Sequence, residues 1–256
     1  MEAAQEPRTS LDIGTKLVSG DGAEWRVVLY PGAAEGGGSF HGAVARKPGP
    51  APYLSDTRDD AARRAKGKVR RYCAANRLNR LGTLTYAGAG RHDPVTLRAD
   101  LAEFFRRLRS SVDEPLPYLW VPEWHKTDHG LHAHFAAGRF IPVGLIRDAW
   151  GHGFVHITML NHLPVGSGPL GEARLAARYL AKYVGKDLGD GREVPGLDRY
   201  EVAQGFQPRS VTLTDDSADE VLGWASIAMD AAPERVWRSS DTDDWAGPPA
   251  VWALWA

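Results

Sequence analysis

Residues 117–138 read PYLWVPEWHKTDHGLHAHFAAG. Two strand-like runs, Pro117–His125 and Leu131–Gly138, flank the polar link Lys126–Gly130, which is short enough for an antiparallel hairpin. In a strand, residues two apart point to one face, so His132 and His134 project together. If the turn falls near Thr127-Asp128, Glu123 lies almost opposite His132 across the ladder. One carboxylate and two imidazoles could then converge on a single ion. Such a mixed nitrogen and oxygen shell accepts Mn²⁺ and tolerates Mg²⁺, leaving positions open for water or phosphate oxygens. Taken alone, a histidine pair at this spacing is more often structural than metallic, and Glu123 alone reads as an exposed strand residue. His125, His129, His152, His156 and His162 have no comparable geometry and read as structural.

The neighbouring elements extend the pattern on both sides. Leu81–Ala87 (LGTLTYA) reads as a buried strand. Asp93-Pro94 starts a helix, with Asp93 as N-cap and Pro94 at the first helical position. Leu97, Leu101, Phe104, Phe105 and Leu108 recur at helical spacing. Val143–Trp150 reads as a short helix, Gly153–Thr158 as a strand and Gly171–Lys186 as an alanine-rich helix. The order β-α-β-β-α-β-α specifies an α+β fold of the split βαβ, ferredoxin-like type: an antiparallel sheet with helices on one face.

The last helix carries Tyr179-Leu-Ala-Lys182-Tyr183-Val-Gly-Lys186. On a helical wheel Tyr179, Lys182, Tyr183 and Lys186 share an arc of about 100°. Ala173, Ala176, Ala177, Leu180 and Val184 occupy the neighbouring arc, the natural sheet-facing side, and Arg174 and Arg178 fall on a third, exposed side. A cation near a phenol favours the phenolate and also neutralises phosphate. A metal on an opposing strand polarises a phosphate oxygen. Phenol, cation and metal together suit phosphodiester transesterification, with a phosphotyrosine link that retains the bond's free energy. Four residues are about 6 Å of rise, so both hydroxyls cannot share one attack position without movement. The bland alternative is two tyrosines packed in a helix–sheet interface with their lysines solvated.

Charge divides the chain of 256 residues in three. Residues 1–62, a Gly/Ala/Pro-rich extension with one strand-like run at Glu24–Tyr30, are net −3; residues 63–214 are net +9; residues 215–256, an acidic tail with five of the nine tryptophans, are net −7. A basic middle between acidic ends suits a polyanion-binding core. Residues 63–80 hold eight basic and no acidic residues and read as a basic helix or arm. Cys73 is the one cysteine, which excludes a disulfide framework and a cysteine zinc site, and reads as a buried small residue. No apolar run is long enough to span a membrane, and the N-terminus lacks a signal-peptide core. The cytoplasm is the expected location, with no membrane partner.

Together these motifs resemble the HUH endonuclease superfamily, specifically two-tyrosine rolling-circle replication initiators of plasmids, small phages and actinobacterial mobile elements. Gly82-Thr83-Leu84-Thr85-Tyr86 is similar to the first motif, His132-Ala133-His134 to the metal motif with Glu123 at the additional ligand's place, and Tyr179–Lys186 to the two-tyrosine motif. The resemblance covers about residues 63–210 and implies an endonuclease domain over 63–214 with an RRM-like palm. It further implies a metal-dependent nickase and strand transferase acting on single-stranded or extruded origin DNA. His132, His134 and Glu123 would hold Mn²⁺ or Mg²⁺. Tyr179 or Tyr183 would attack, giving a 5′-phosphotyrosine and a free 3′-hydroxyl primer, with Lys182 and Lys186 neutralising charge. Arg63, Arg64, Lys66, Lys68, Arg70 and Arg71 fit contact with the DNA backbone. No Gly-x-x-x-x-Gly-Lys-Ser/Thr run exists, so a host helicase and replication machinery would be required.

Competing readings remain at this level. A transposase or conjugative relaxase would use the same chemistry. A non-catalytic RRM-like module would use Tyr86, Trp120, Trp124 and Phe135 to stack bases. A metal-dependent oxygenase is disfavoured by the helices and the basic core.

Overall fold

The computed structural model describes residues 23–42, 54–158, 160, 167–184, 194–243, 245 and 247–256. Lys186 and His162 lie outside the described residues. The palm is the stretch β3 (Arg80–Tyr86), α2 (Pro94–Ser110), β4 (Tyr118–Trp124), β5 (Leu131–Ala137), α3 (Val143–Trp150) and β6 (Gly153–Thr158). Its strands pair antiparallel in the order β6-β3-β5-β4, with the short β7 (Glu201–Val202) beyond β4. This is the split βαβ arrangement expected from the sequence, within an α+β fold.

Period-two alternation gives the palm two different faces. Leu84, Trp120, Leu131, Ala133 and Phe135 point to one side and pack against Leu101, Phe104 and Phe105 of α2 and Trp150 of α3. Asp93 caps α2, accepting from the backbone N–H groups of Val95 and Thr96. Gly82 sits opposite Phe135, and a Cβ there would approach the Phe135 ring to 2.4 Å. The glycine therefore makes room for the largest ring of the β5 core row. Leu119, Val121 and Ala136 point to the other side, where α1 (Leu54–Ala75) and α4 (Gly168–Val184) pack. The two crossover helices thus share one face, as the sequence implies, and α1 and α4 cover part of the opposite one. Cys73 of α1 is fully buried there, and burial pushes its thiol up to about 12.

A second five-stranded antiparallel sheet has the order β8-β1-β2-β10-β9. Its strands are β1 (Glu24–Tyr30), β2 (Glu35–His41), β8 (Val211–Asp215), β9 (Arg235–Arg238) and β10 (Ala250–Leu254). The sequence reading separates 1–62 and 215–256 as an extension and a tail; the structure joins them, β2 pairing with β10 over Glu35–Ser39 and Ala250–Leu254. The physical reason is that an isolated hairpin such as β1–β2 is marginal in water, whereas five strands and a helix bury a face. That helix, α5 (Ala218–Met229), sets Val221, Leu222 and Ala225 against Val27, Leu29, Val251 and Trp255. No helix among the described residues is long and apolar enough to cross a membrane.

Arg174 corrects the wheel reading that exposes it. Its Nη2 donates to the carbonyl oxygens of Ala33, Ala34 and Trp255 at 3.4, 3.1 and 2.8 Å. These carbonyls belong to the second sheet's ends, so a residue of α4 ties the two sheets together. Arg178 is exposed, as expected. Arg174→Ala is expected to lower the unfolding free energy in urea by about 2–3 kcal/mol, the scale of charge-assisted bonds plus stranded carbonyls. A loss below about 0.5 kcal/mol would show that the clamp is energetically silent.

Candidate active site

The β4–β5 ladder sets Glu123 directly across from His132, and Val121 across from His134. Both histidines are buried, on the face away from α2 and α3. Glu123 Oε2 lies 3.0 Å from His132 Nε2 and 2.7 Å from His134 Nε2, and the two Nε2 atoms are 3.1 Å apart. Ligand atoms in adjacent positions around one ion, at right angles with bonds of about 2.1 Å, are about 3.0 Å apart. The donor set and its separations therefore fit a small hard divalent cation, and Glu123, His132 and His134 could hold one.

β3 supplies a support that the sequence reading did not single out. Thr83 is paired with His134 in the ladder, and its Oγ1 lies 3.0 Å from His134 Nδ1. A metal-binding Nε2 needs its lone pair free, so the ring proton must sit on Nδ1, where Thr83 Oγ1 can accept it. A β-branched residue two positions into the Gly82–Tyr86 strand was visible in the sequence, but its facing partner depends on register. His132 Nδ1 is buried without a hydrogen-bond partner among the described residues.

The tyrosines of α4 arrive over the same face. Ala173, Ala176, Ala177, Leu180 and Val184 are buried and seat the helix on the sheet, the stripe expected from the wheel. Tyr183 stacks on the His134 ring at 3.8 Å and 17°, and the Tyr179 ring is 6.1 Å from it. The two hydroxyls meet: Tyr183 donates to Tyr179 Oη at 3.0 Å. The rise along α4 separates the two Cα atoms, but the side chains lean together at their tips. Burial, then the hydrogen bond and charge of Tyr179, then the charge of Glu123 push the Tyr183 hydroxyl well above the usual tyrosine range. Lys182 is exposed, with Nζ 5.6 Å from the Tyr179 ring centroid.

The six basic residues chosen for DNA contact divide into two groups. Arg63, Arg64, Lys66 and Lys68 lie on the outer side of α1, Arg63 within 3.1 Å of Asp60. Arg70 and Arg71 turn inward to the buried Glu35 of β2: Arg70 Nε and Nη2 donate to it at 2.7 and 3.0 Å, and Arg71 Nη1 at 3.5 Å. The structure thus gathers Glu123, His132, His134, Tyr179, Tyr183 and Lys182 at one place and packs the basic helix α1 against the tyrosine helix α4.

Removing the Thr83 hydroxyl is expected to weaken binding of Mn²⁺ by about 10–100-fold, with the folded state kept. Titration of Thr83→Val against wild type by calorimetry or Mn²⁺ electron paramagnetic resonance checks this, and equal affinities would remove Thr83 from the site.

No curated protein and no solved structure matches the chain. A family does: residues 79–188, the stretch that holds the palm, the Glu/His/His cluster and both tyrosines, match the replication-associated protein family named for ORF2.

Proposed function

We propose that the protein is a rolling-circle replication initiator that nicks and rejoins one strand of origin DNA through a tyrosine. The observation that carries the reading is the hydrogen-bonded tyrosine pair stacked on a histidine of a Glu/His/His cluster. The match to a replication-associated family over the same residues supports it. A bound Mn²⁺ or Mg²⁺ would supply charge to a non-bridging phosphate oxygen and help hold the phosphate. The remaining chemistry belongs to the chain.

Tyr179 is the first nucleophile in this reading. Tyr183 keeps its proton and donates it in a hydrogen bond to Tyr179 Oη, which stabilises negative charge on that oxygen, and Lys182 lies beside the same ring. The Tyr179 oxygen, having lost its proton, bonds to phosphorus as the bond to the 3′ oxygen breaks. That oxygen takes a proton and leaves as a hydroxyl, a primer end, while the 5′ side stays on the enzyme. The exchange of one phosphodiester for another is nearly balanced in free energy, so the same groups can reseal the strand. Tyr183, 3.0 Å away, serves the second cleavage. Arg63, Arg64, Lys66 and Lys68 of α1 hold the backbone of single-stranded or extruded origin DNA without reading its sequence. Unwinding falls to a host helicase, since the chain has no P-loop run.

Labelled single-stranded origin DNA with Mn²⁺ is expected to form an adduct that survives denaturing electrophoresis. Tyr179→Phe should reduce the first adduct by at least about 100-fold. Tyr183→Phe should slow it by about 10-fold, the loss of one hydrogen bond to a charged oxygen. The double variant should bind DNA and form none. An undiminished adduct in the double variant would refute the assignment, and the position of the nick separates an origin from a transfer site or an element end.

A further inference from the structure

The second sheet takes no part in this chemistry, yet it carries a built cavity. β2 contains Gly36-Gly37-Gly38, and Gly37 is flanked in the ladder by Val28 of β1 and Trp252 of β10. These three residues share the face opposite the Val27, Leu29 and Val251 core. Because glycine has no side chain, a slot opens between the walls on either side. Its volume is about 320 Å³, and Tyr30, Glu35 and Arg71 complete the lining. Two ladder steps separate Val28 and Trp252 by about 10 Å. A flat ring inserted over Gly37 would lie about 5 Å from each wall, a stacking distance.

The chemistry of the walls selects the ring. Trp252 lays its Cδ1 edge over Gly37, 3.0 Å from where a Cβ would be, and the adjoining Nε1–H is buried without a partner among the described residues. An orphan donor of this kind suits a heteroaromatic ring with acceptor atoms on its edge. The rim is cationic. The Arg71 guanidinium lies 4.7 Å from the Tyr30 ring centroid and that of Arg70 5.6 Å from the Trp252 centroid, both locked by Glu35. One carboxylate against two guanidiniums leaves net positive charge at the mouth, and Arg63, Arg64, Lys66 and Lys68 continue it along α1. A flat acceptor-bearing ring attached to an anionic backbone is a nucleotide. α4 joins the slot to the tyrosines, since Arg174 touches Ala34 beside Glu35 and Tyr179 follows on the same helix about 7.5 Å further along.

We propose that the slot over Gly37, walled by Trp252, Val28 and Tyr30, takes one base of single-stranded DNA as an anchor outside the cleavage centre. The identity of the ligand rests on the nickase reading; the slot itself does not.

The test uses the full chain and 20-nucleotide single strands bearing one 5-iodouracil at successive positions. Irradiation should crosslink one position of the iodouracil to Trp252 or Tyr30, identified by mass spectrometry. Trp252→Leu should weaken anisotropy-measured binding of the unmodified strand about 10-fold, the value of one stacked base. Covalent adduct at saturating DNA should be unchanged. Crosslinks confined to the palm, or unaltered binding by a folded Trp252→Leu protein, would overturn the slot. Displacement of the strand by micromolar thymidine monophosphate would also overturn it, in favour of a free-nucleotide site. A Trp252 crosslink without any covalent adduct would keep the slot and sink the nickase reading, and the converse would sink the slot alone.

Discussion

The pairing of β4 with β5 is the constraint on which the site depends. Glu123 faces His132 only in the register that also points Leu131, Ala133 and Phe135 into the core beneath α2 and α3. A slip of one residue would turn His132 and His134 into that core and expose Leu131 and Phe135. Each exposed large side chain forfeits about 1.5–3 kcal/mol of burial. The buried imidazoles would add the further cost of polar groups without partners. The hydrophobic face therefore enforces the geometry of the polar one. A carboxylate and two imidazoles are held within about a hydrogen bond of one another by packing on the far side of the sheet.

The opposite half of the centre is held by a different device. α4 contacts the sheet through small residues, Ala173, Ala176 and Ala177, so its axis comes close enough for the phenols beside that stripe to reach His134. Leu180 and Val184 complete the buried stripe, and Arg174 fastens the helix to the ends of the second sheet. The second sheet is thus a brace for the tyrosine helix as well as a surface of its own. The buried Glu35 does the same for α1 through Arg70 and Arg71, which is why two residues of a basic run are turned toward the protein.

Legibility in the sequence tracked the range of the interaction. The palm strands and both crossover helices follow from local alternation, a capped Asp93-Pro94 start and helical spacing. The Glu123–His132 pairing follows from one short hairpin. Of the second sheet only the β1 run was legible. β2 meets β10 across more than 200 residues of chain, and a Gly36-Gly37-Gly38 strand has none of the β-branched residues that announce a strand. Thr83 and Arg174 were missed for the same reason: a ladder partner across β3–β5 and a carbonyl cluster on another sheet leave no local signature. The tyrosine tips were misjudged because rise along the axis fixes Cα positions, whereas long side chains on adjacent turns of one face converge.

That convergence bears on how two cleavages can use one centre. Two phenols in contact share a single well-placed proton, so negative charge on one is tied to retention of the proton on the other. In the proposed reaction, bonding of Tyr179 to phosphorus ends its role as a charged acceptor and removes the reason for Tyr183 to hold its proton there. Tyr183 is then a neutral phenol stacked on a buried histidine, next to the carboxylate and imidazoles that hold the phosphate. The second tyrosine becomes available only after the first is consumed, and the order is set by a hydrogen bond rather than by a movement of the helix.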